Sequence, residues 1–335
     1  KNFSEDEINL RVDELAAGIS AFGGRNSAGL SMDYLSPFED KMLEIFRDSL
    51  LHPQFPKQIL EREKIVQRNQ IKARNDNPSQ LCIMAFMQEI FKGHPYSRDL
   101  LGSEESINKI SSESLRAYYN KIAHAKNLTF CVIGDVNKDK WIKELEETTS
   151  QLAKGGKIQN NFAAPVIKES KYLFKELKKE QSHIIVGYQG LTLTSPDRYA
   201  LEIIQSILSG QGGRLFLELR DKNSLAYSVA PMHTEGIECG YFGGYIGCSP
   251  EKSEKAIAML KQEFQKLATT KVPEEELTRA QRYLIGRHDI ELQRKSAICN
   301  AILFDELYGL DYRESLDVAE KYFAVTVEDV QRVAE

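Results

Sequence analysis

Histidine pairs at metal-binding spacing are missing from this 335-residue chain. Its six histidines, His52, His94, His124, His183, His233 and His288, are never closer than 30 residues, so no HxH, HxxxH or HxxEH sets two imidazoles on one helix face. His288, on a long expected helix, reads as a solvated or capping histidine. Cysteine is also sparse: Cys82, Cys131, Cys239, Cys248 and Cys299 form no CxxC and no disulfide framework. They read as small buried apolar residues and lean weakly toward a reducing compartment. There is no GxSxG, which removes the serine-hydrolase elbow. No apolar run approaches the ~18 residues that span a bilayer. An excess of one charge is lacking too: 44 Lys and Arg face 49 Asp and Glu, a net −5, which argues against nucleic-acid binding. Position 1 is Lys and opens a polar stretch, so no signal peptide is read and the natural start is expected to lie elsewhere.

What is present is the composition of a soluble globular protein, 41% hydrophobic and 28% charged, with length enough for two domains of roughly 100–200 residues. Helical spacing runs through Ile8–Phe22 and stops at Gly23-Gly24, and Leu30, Met32 and Tyr34 then alternate as a strand. Ser36-Pro37-Phe38-Glu39 reads as a capping box opening a helix to about Leu51. Helices follow at about Lys57–Lys72, Ser79–Lys92 after the Asn77-Pro78 break, Glu113–Lys121 and Lys138–Leu152, with a strand at Leu128–Val132. Ala153–Pro165, rich in Gly, Asn and Ala, reads as a linker. Strands are then expected near Tyr172–Leu177, His183–Tyr188, Ala226–Thr234 and Gly240–Cys248. Helices are expected at Pro196–Leu208, Arg214–Arg220 and through most of the C-terminal stretch.

The two halves repeat one another. Leu60 to Gly93 spans 33 residues and Leu277 to Gly309 spans 32, each a long charged helix, a break and a second helix. Ser36-Pro37 answers Ser249-Pro250, and Ile110-Ser111-Ser112-Glu113 answers Val325-Thr326-Val327-Glu328. Duplication of one α+β unit is the economical reading. The expected division is a first unit over 1–153, a linker over 154–166 and a second unit over 167–335. By the same correspondence the first unit lacks its N-terminal strands and helix, and the second its closing strand. The chain is therefore expected to be a piece of something longer.

Gly210-Gln211-Gly212-Gly213 ahead of a helix invites a nucleotide reading. A helix precedes it, however, and the third glycine is misplaced, so tight turning or close backbone approach is the better account. From spacing alone Arg220 is a helix-end cation and Tyr227 a half-buried strand residue.

The run Gly212-Gly213-Arg214-Leu215-Phe216-Leu217-Glu218-Leu219-Arg220, followed by Ser224-Leu225-Ala226-Tyr227-Ser228-Val229, resembles the signature of the pitrilysin/insulinase zinc-peptidase family. Glu275-Glu276-Leu277-Thr278-Arg279-Ala280, Gly93-His94-Pro95-Tyr96 and Val132-Ile133-Gly134-Asp135-Val136 continue the likeness over nearly the whole chain. The chain looks most like the C-terminal, non-catalytic half of a bacterial two-lobed member. The resemblance implies an α+β fold, a tandem of two mitochondrial-processing-peptidase-like units, each an antiparallel sheet packed on one face by helices. Two tandems would close as a clamshell around a peptide.

In active members HxxEH lies on a helix that here would precede Lys1. Its repeat counterpart, Pro196–Leu208, carries no such motif. The third zinc ligand, as the resemblance implies, is a glutamate seven residues after another; Glu63 matches the earlier acid, and Gln70 stands at the ligand position. A neutral amide is a poor zinc ligand beside a carboxylate, so no metal or cofactor is expected in this chain and zinc is expected in a partner lobe. Arg220 and Tyr227 match the pair that the family presents to substrate, binding the scissile carbonyl and the charge that builds on it. The implied function is the non-catalytic lobe of a zinc metalloendopeptidase. Its partners would be a peptide substrate and a catalytic HxxEH lobe, encoded upstream or in a separate subunit. Alternatives are a structural homologue without proteolysis, like the core subunits of the bc1 complex, and an active subunit whose HxxEH helix precedes Lys1. No nucleic-acid partner or membrane span is expected, and the setting would be a bacterial cytoplasm or periplasm.

Overall fold

In a computed structural model the residues described are 3–158 and 162–335. The chain begins with α1 (Glu5–Glu14), closed by a capping box in which Ser4 Oγ accepts from Glu7 N and the Glu7 carboxylate accepts from Ser4 N. The helix expected to reach Phe22 ends here. Leu15 caps it, Ala16 takes a left-handed φ of 47°, and Gly18–Gly23 forms β1. The physical reason is a change of period. Ile8, Val12 and Leu15 repeat at helical spacing, whereas Ala17 and Ile19 alternate, which puts their side chains on one face of a strand. β2 (Ala28–Asp33) pairs antiparallel with β1 from Gly18↔Asp33 to Gly23↔Ala28. Ile19 and Met32 then lie against Phe3, Val12, Leu15, Met42 and Ile45.

A 3-10 turn over Ser36–Phe38 leads into α2 (Glu39–Leu51). The expected capping box at Ser36 and Glu39 is not formed. The Glu39 carboxylate is taken instead by Trp141 Nε1 at 2.8 Å and Lys140 Nζ at 2.6 Å, both on α7 (Lys138–Ser150), which tie two helices far apart in sequence. Between them run α3 (Lys57–Asn75), α4 (Pro78–Ile90), α5 (Glu104–Asn108) and α6 (Ser112–Ile122). Asn77 caps α4 with Pro78 in its first turn, the break read from Asn77-Pro78. The expected strand Leu128–Val132 joins no ladder among the described residues, and neither does Tyr172–Leu177, where Tyr172 and Phe174 are exposed. Alternation orients side chains, but a strand exists only where a neighbour accepts its hydrogen bonds. Residues 159–161 of the expected linker lie outside the described residues.

The second sheet has three antiparallel strands in the order β3-β5-β4. β3 is Ser182–Gly190, β4 Ser228–Thr234 and β5 Gly240–Cys248. α8 (Arg198–Leu208) lies between β3 and β4 in sequence, and its buried face of Leu201, Ile203, Ile204, Ile207 and Leu208 anchors the main core. At ~1.5–3 kcal/mol for each large aliphatic side chain fully buried, this face contributes heavily to the stability of the unit. Ile246 of β5 and Leu260 of α9 (Ser253–Thr269) complete the core, with Leu277 of α10 (Glu274–Glu291) and Val330 of α13 (Val327–Ala334). α11 (Lys295–Leu307) and α12 (Val318–Ala324) make up the rest.

The duplication is visible in the geometry. α3 and α10 are followed by α4 and α11, each of 13 residues, and the glycines closing these steps, Gly93 and Gly309, share left-handed φ values of 85° and 81°. α6 and α13 both open on a capping box, from Ser111 and from Thr326.

Compactness divides the chain differently from sequence order. One unit comprises 1–72, 100–160 and 294–307; the other comprises 73–99, 161–293 and 308–335. The repeat-related helices α4 and α11 are thus each packed with the other half of the sequence. In the second unit, Cys82 of α4 donates to His183 O of β3 at 3.2 Å and Phe86 meets Tyr241 edge-on at 5.3 Å. The Gly93-His94-Pro95-Tyr96 motif serves this packing: His94 Nδ1 accepts from Tyr96 N, and the Tyr96 hydroxyl accepts from Ile237 N. In the first unit, Phe304 of α11 meets Phe22 of β1 at 5.8 Å.

Candidate functional site

The glycine turn behind α8 is shaped by close backbone approach. Gly210 has φ 77°, Gly213 N donates to Gly210 O at 3.1 Å, and a Cβ on Gly213 would sit 2.2 Å from Ser209 O. Only glycine fits that contact. The chain then enters a π-helical turn over Phe216–Lys222. Such turns are uncommon and often mark functional positions.

The turn is pinned on its inner side. Leu215, Leu219 and Leu225 are buried, and Leu225 N donates to Leu219 O at 2.9 Å. Arg214 forms a two-pronged ion pair with Glu276 of α10, its Nε donating at 2.9 Å. Ser224, at a φ of 49°, has its carbonyl bound by Lys252 Nζ at 3.0 Å. Tyr227 N donates to Gly247 O at 2.8 Å and so fixes the residue to the C-terminal end of β5.

On this scaffold the two expected site residues face outward. Arg220 is exposed, its guanidinium carbon 5.1 Å from the Phe216 ring centre, and it makes no ion pair among the described residues. Tyr227 is 61% exposed, and its hydroxyl makes no hydrogen bond among the described residues. Their side chains share no hydrogen bond; the structure joins them through the backbone that carries both. The contrast within seven residues is instructive: Arg214 spends its donors on Glu276, while Arg220 keeps its fork free.

Glu63 and Gln70 lie on the first unit's α3, one position off the inward face marked by Lys64 and Ile71, and both are exposed. Glu63 accepts from its neighbour Arg62 at 3.1 Å. Among the described residues no group of three or more His, Cys, Asp or Glu side chains could hold a metal ion. An amide at Gln70 and an ion-paired carboxylate at Glu63 do not fit zinc.

A second polar constellation, around the first turn of α8, is not foreseen by the sequence reading. Arg198 is buried; its Nη1 donates to Leu193 O at 2.8 Å, and its Nε stands 4.0 Å from Glu235 Oε2. His233 Nε2 is 3.6 Å from Glu235 Oε1. Arg198 Nε, His233 Nε2 and Glu235 Oε1 are all buried without a hydrogen-bond partner. Burial, then the charge of Glu202, pushes the Glu235 carboxyl up to about 7, and burial pulls His233 down to about 4. Glu202 accepts from the Tyr322 hydroxyl, and burial raises its carboxyl above the usual range. Tyr199 donates to Glu314 at 2.6 Å. His288, read as solvated or capping, instead has its Nε2 buried without a hydrogen-bond partner and acts electrostatically on Glu202. The signal available beforehand was Arg198 and Glu202 four apart on an otherwise apolar helix face, a spacing equally common on surfaces.

Two family models match the chain. The model described as the insulinase family, peptidase family M16, matches residues 1–104, and the one described as the peptidase M16 inactive domain matches 109–284. An uncharacterized zinc protease of Streptomyces coelicolor is 24% identical over 338 residues, covering 96% of this chain and 73% of the relative. A Helicobacter pylori relative named as a non-peptidase homolog is 23% identical over 292 residues, covering 86% and 67%. The crystal structure of a peptidase M16 inactive domain from Pseudomonas fluorescens superposes with a TM-score of 0.89 at 22% identity, over 99% of this chain and 80% of that one, and so shares its α+β fold. With the inactive-domain model matched over more than half its length, this chain belongs to the M16 peptidase family.

Proposed function

We propose that this chain is the non-catalytic lobe of a two-lobed metalloendopeptidase, in which Arg220 and Tyr227 bind the peptide substrate at a hydrolytic centre carried by another lobe. That lobe would bear HxxEH and the zinc, on the same polypeptide or as a second subunit. The observation that carries the reading is the pair of exposed donors, left unspent on a segment otherwise pinned by Arg214, Leu219, Leu225 and Tyr227 N. A guanidinium fork fixes a carbonyl in one orientation, and a phenol O–H donates to an oxygen as charge builds on it. Held rigidly, such donors need little reorganisation when substrate arrives. The exposed amide of Gln70 supports placing the metal elsewhere. On this reading the repeat units are 1–153 and 167–335 with 154–166 between them.

The test is Tyr227→Phe in the assembled two-lobed enzyme. Turnover is expected to fall tenfold or more, about 1.4 kcal/mol of barrier, with unchanged thermal unfolding. Unchanged turnover would remove Tyr227 from the mechanism. The name of the Helicobacter pylori relative favours a second reading, a homologue without proteolysis. Stable association with a non-peptidase complex, and with no HxxEH partner, would favour it. A tightly bound zinc coordinated by this chain together with an HxxEH segment preceding Lys1 would favour an active subunit instead.

A further inference from the structure

We propose that Cys131 and Cys299 are a redox-active thiol pair that low-molecular-weight disulfides oxidise to a bond locking α11 onto the first unit. The proposal stands apart from the peptidase reading. The two cysteines are 168 residues apart in sequence, yet the Cys299 thiol donates to the Cys131 backbone carbonyl at 3.5 Å. Each of the other cysteines is engaged elsewhere: Cys82 donates to His183 O, Cys239 lies 3.7 Å from His94 Nδ1, and Cys248 lies 3.9 Å from Ser253 Oγ. All five are free thiols. Cys82, Cys131 and Cys299 are partly buried and open to a small reagent, whereas Cys239 and Cys248 are fully buried; of the three, Cys131 and Cys299 are the two that lie together.

The place of the pair gives the bond a consequence. α11 reaches the first unit from Gln293 and leaves it at Tyr308, and both of those residues belong to the second unit. Its own seat is shallow, since Asp305 is its one fully buried residue among those described. A covalent tie from Cys299 to the segment around Cys131 would add to the non-covalent contacts that hold this helix now.

The chemistry balances as thiol–disulfide exchange. The Cys299 thiolate attacks one sulfur of oxidised glutathione, forming a mixed disulfide and releasing one glutathione thiolate. Cys131 gives its proton to solvent, and its thiolate displaces the second glutathione as the Cys131–Cys299 bond forms. The two protein thiols lose two electrons and one glutathione disulfide gains them. Burial pushes the Cys131 thiol up to about 12, so the second step is slow near neutrality and accelerates as the solution is made more alkaline.

The native chain incubated with oxidised glutathione, quenched by alkylation and digested, reads this out. The expected result is loss of two of five thiols, a linked peptide containing Cys131 and Cys299, and its reversal by dithiothreitol. Cys131→Ser is expected to stop at a glutathione adduct on Cys299, and Cys299→Ser to leave Cys131 unmodified. In hydrogen exchange, 294–307 is expected to become more protected in the oxidised wild type and unchanged in either serine variant. Separate alkylation of both cysteines after prolonged oxidation of the folded chain would overturn the pairing. A linked peptide without added protection of 294–307 would overturn the lock.

Discussion

Two arginines at opposite ends of the second unit's chemistry make a useful contrast. Arg220 is exposed with its donors free, whereas Arg198 is buried beside Glu235 and Glu202 with its Nε unmatched. An exposed donor is already hydrated, so keeping it idle costs the fold almost nothing, and it is free to change partners. A buried guanidinium has surrendered its water and is held by the carboxylates and the Tyr199 ring around it, 4.8 Å from its guanidinium carbon. The lesson is that burial, more than residue type, separates groups left open to solvent from groups committed to the fold.

The sharpest way to break this contrast is Arg198→Met. It leaves Glu202 and Glu235 buried without their cation, and a loss of about 3–5 kcal/mol in urea unfolding at neutral pH is expected. A loss below about 1 kcal/mol would show the cluster to be better hydrated than its burial suggests.

Next in size is Glu235→Gln, whose effect depends on pH. Glu235 holds its proton to about 7 in the fold against an ordinary 4.5, so its penalty is absent below about pH 4.5 and complete above 7. His233 stays neutral to about 4 against an ordinary 6.5, so its penalty is absent above about 6.5 and grows as pH falls toward 4. Between 4.5 and 6.5 the two slopes oppose one another. The variant is therefore expected to gain about 2–3 kcal/mol at about pH 8, gain little at about pH 4, and lose stability on acidification below about 6.5. An equal gain at both pH values would show that another group titrates. Smallest in stability is Arg220→Ala, expected within about 0.5 kcal/mol of wild type by the same measurement. On the proposed reading, its effect is expected only in peptide hydrolysis by the assembled two-lobed enzyme.

Much of the fold is legible before any coordinates. The Asn77-Pro78 break, the alternation through Gly240–Cys248, and the matched steps ending at Gly93 and Gly309 are local signals. Their elements form because backbone and side-chain periods agree. The readings that failed depend on neighbours. Ile8–Phe22 keeps its apolar content but changes period at Ala16. Glu39 has the residue type for a capping box but is claimed by Trp141 and Lys140. Leu128–Val132 and Tyr172–Leu177 alternate correctly and find no ladder among the described residues. At the candidate site, Arg220 and Tyr227 were readable as a pair only through their likeness to a family signature, since charge and spacing alone mark both as ordinary. The cluster of Arg198, Glu202, His233 and Glu235 had no such signature, because its members come from a helix, a strand and the turn after it.

By itself the amino-acid order determined the α+β plan with its matched steps, the lack of any histidine pair spaced for zinc, and an amide at Gln70 seven positions after Glu63. These follow from periodicity and residue chemistry, which act over a few neighbouring positions. Tertiary structure alone decided that α4 and α11 each pack with the other half of the sequence, that Arg214 is spent while Arg220 makes no ion pair among the described residues, and that Cys131 meets Cys299. Those outcomes depend on contacts between residues tens to hundreds of positions apart, and local pattern carries no information about which distant surface a side chain will meet.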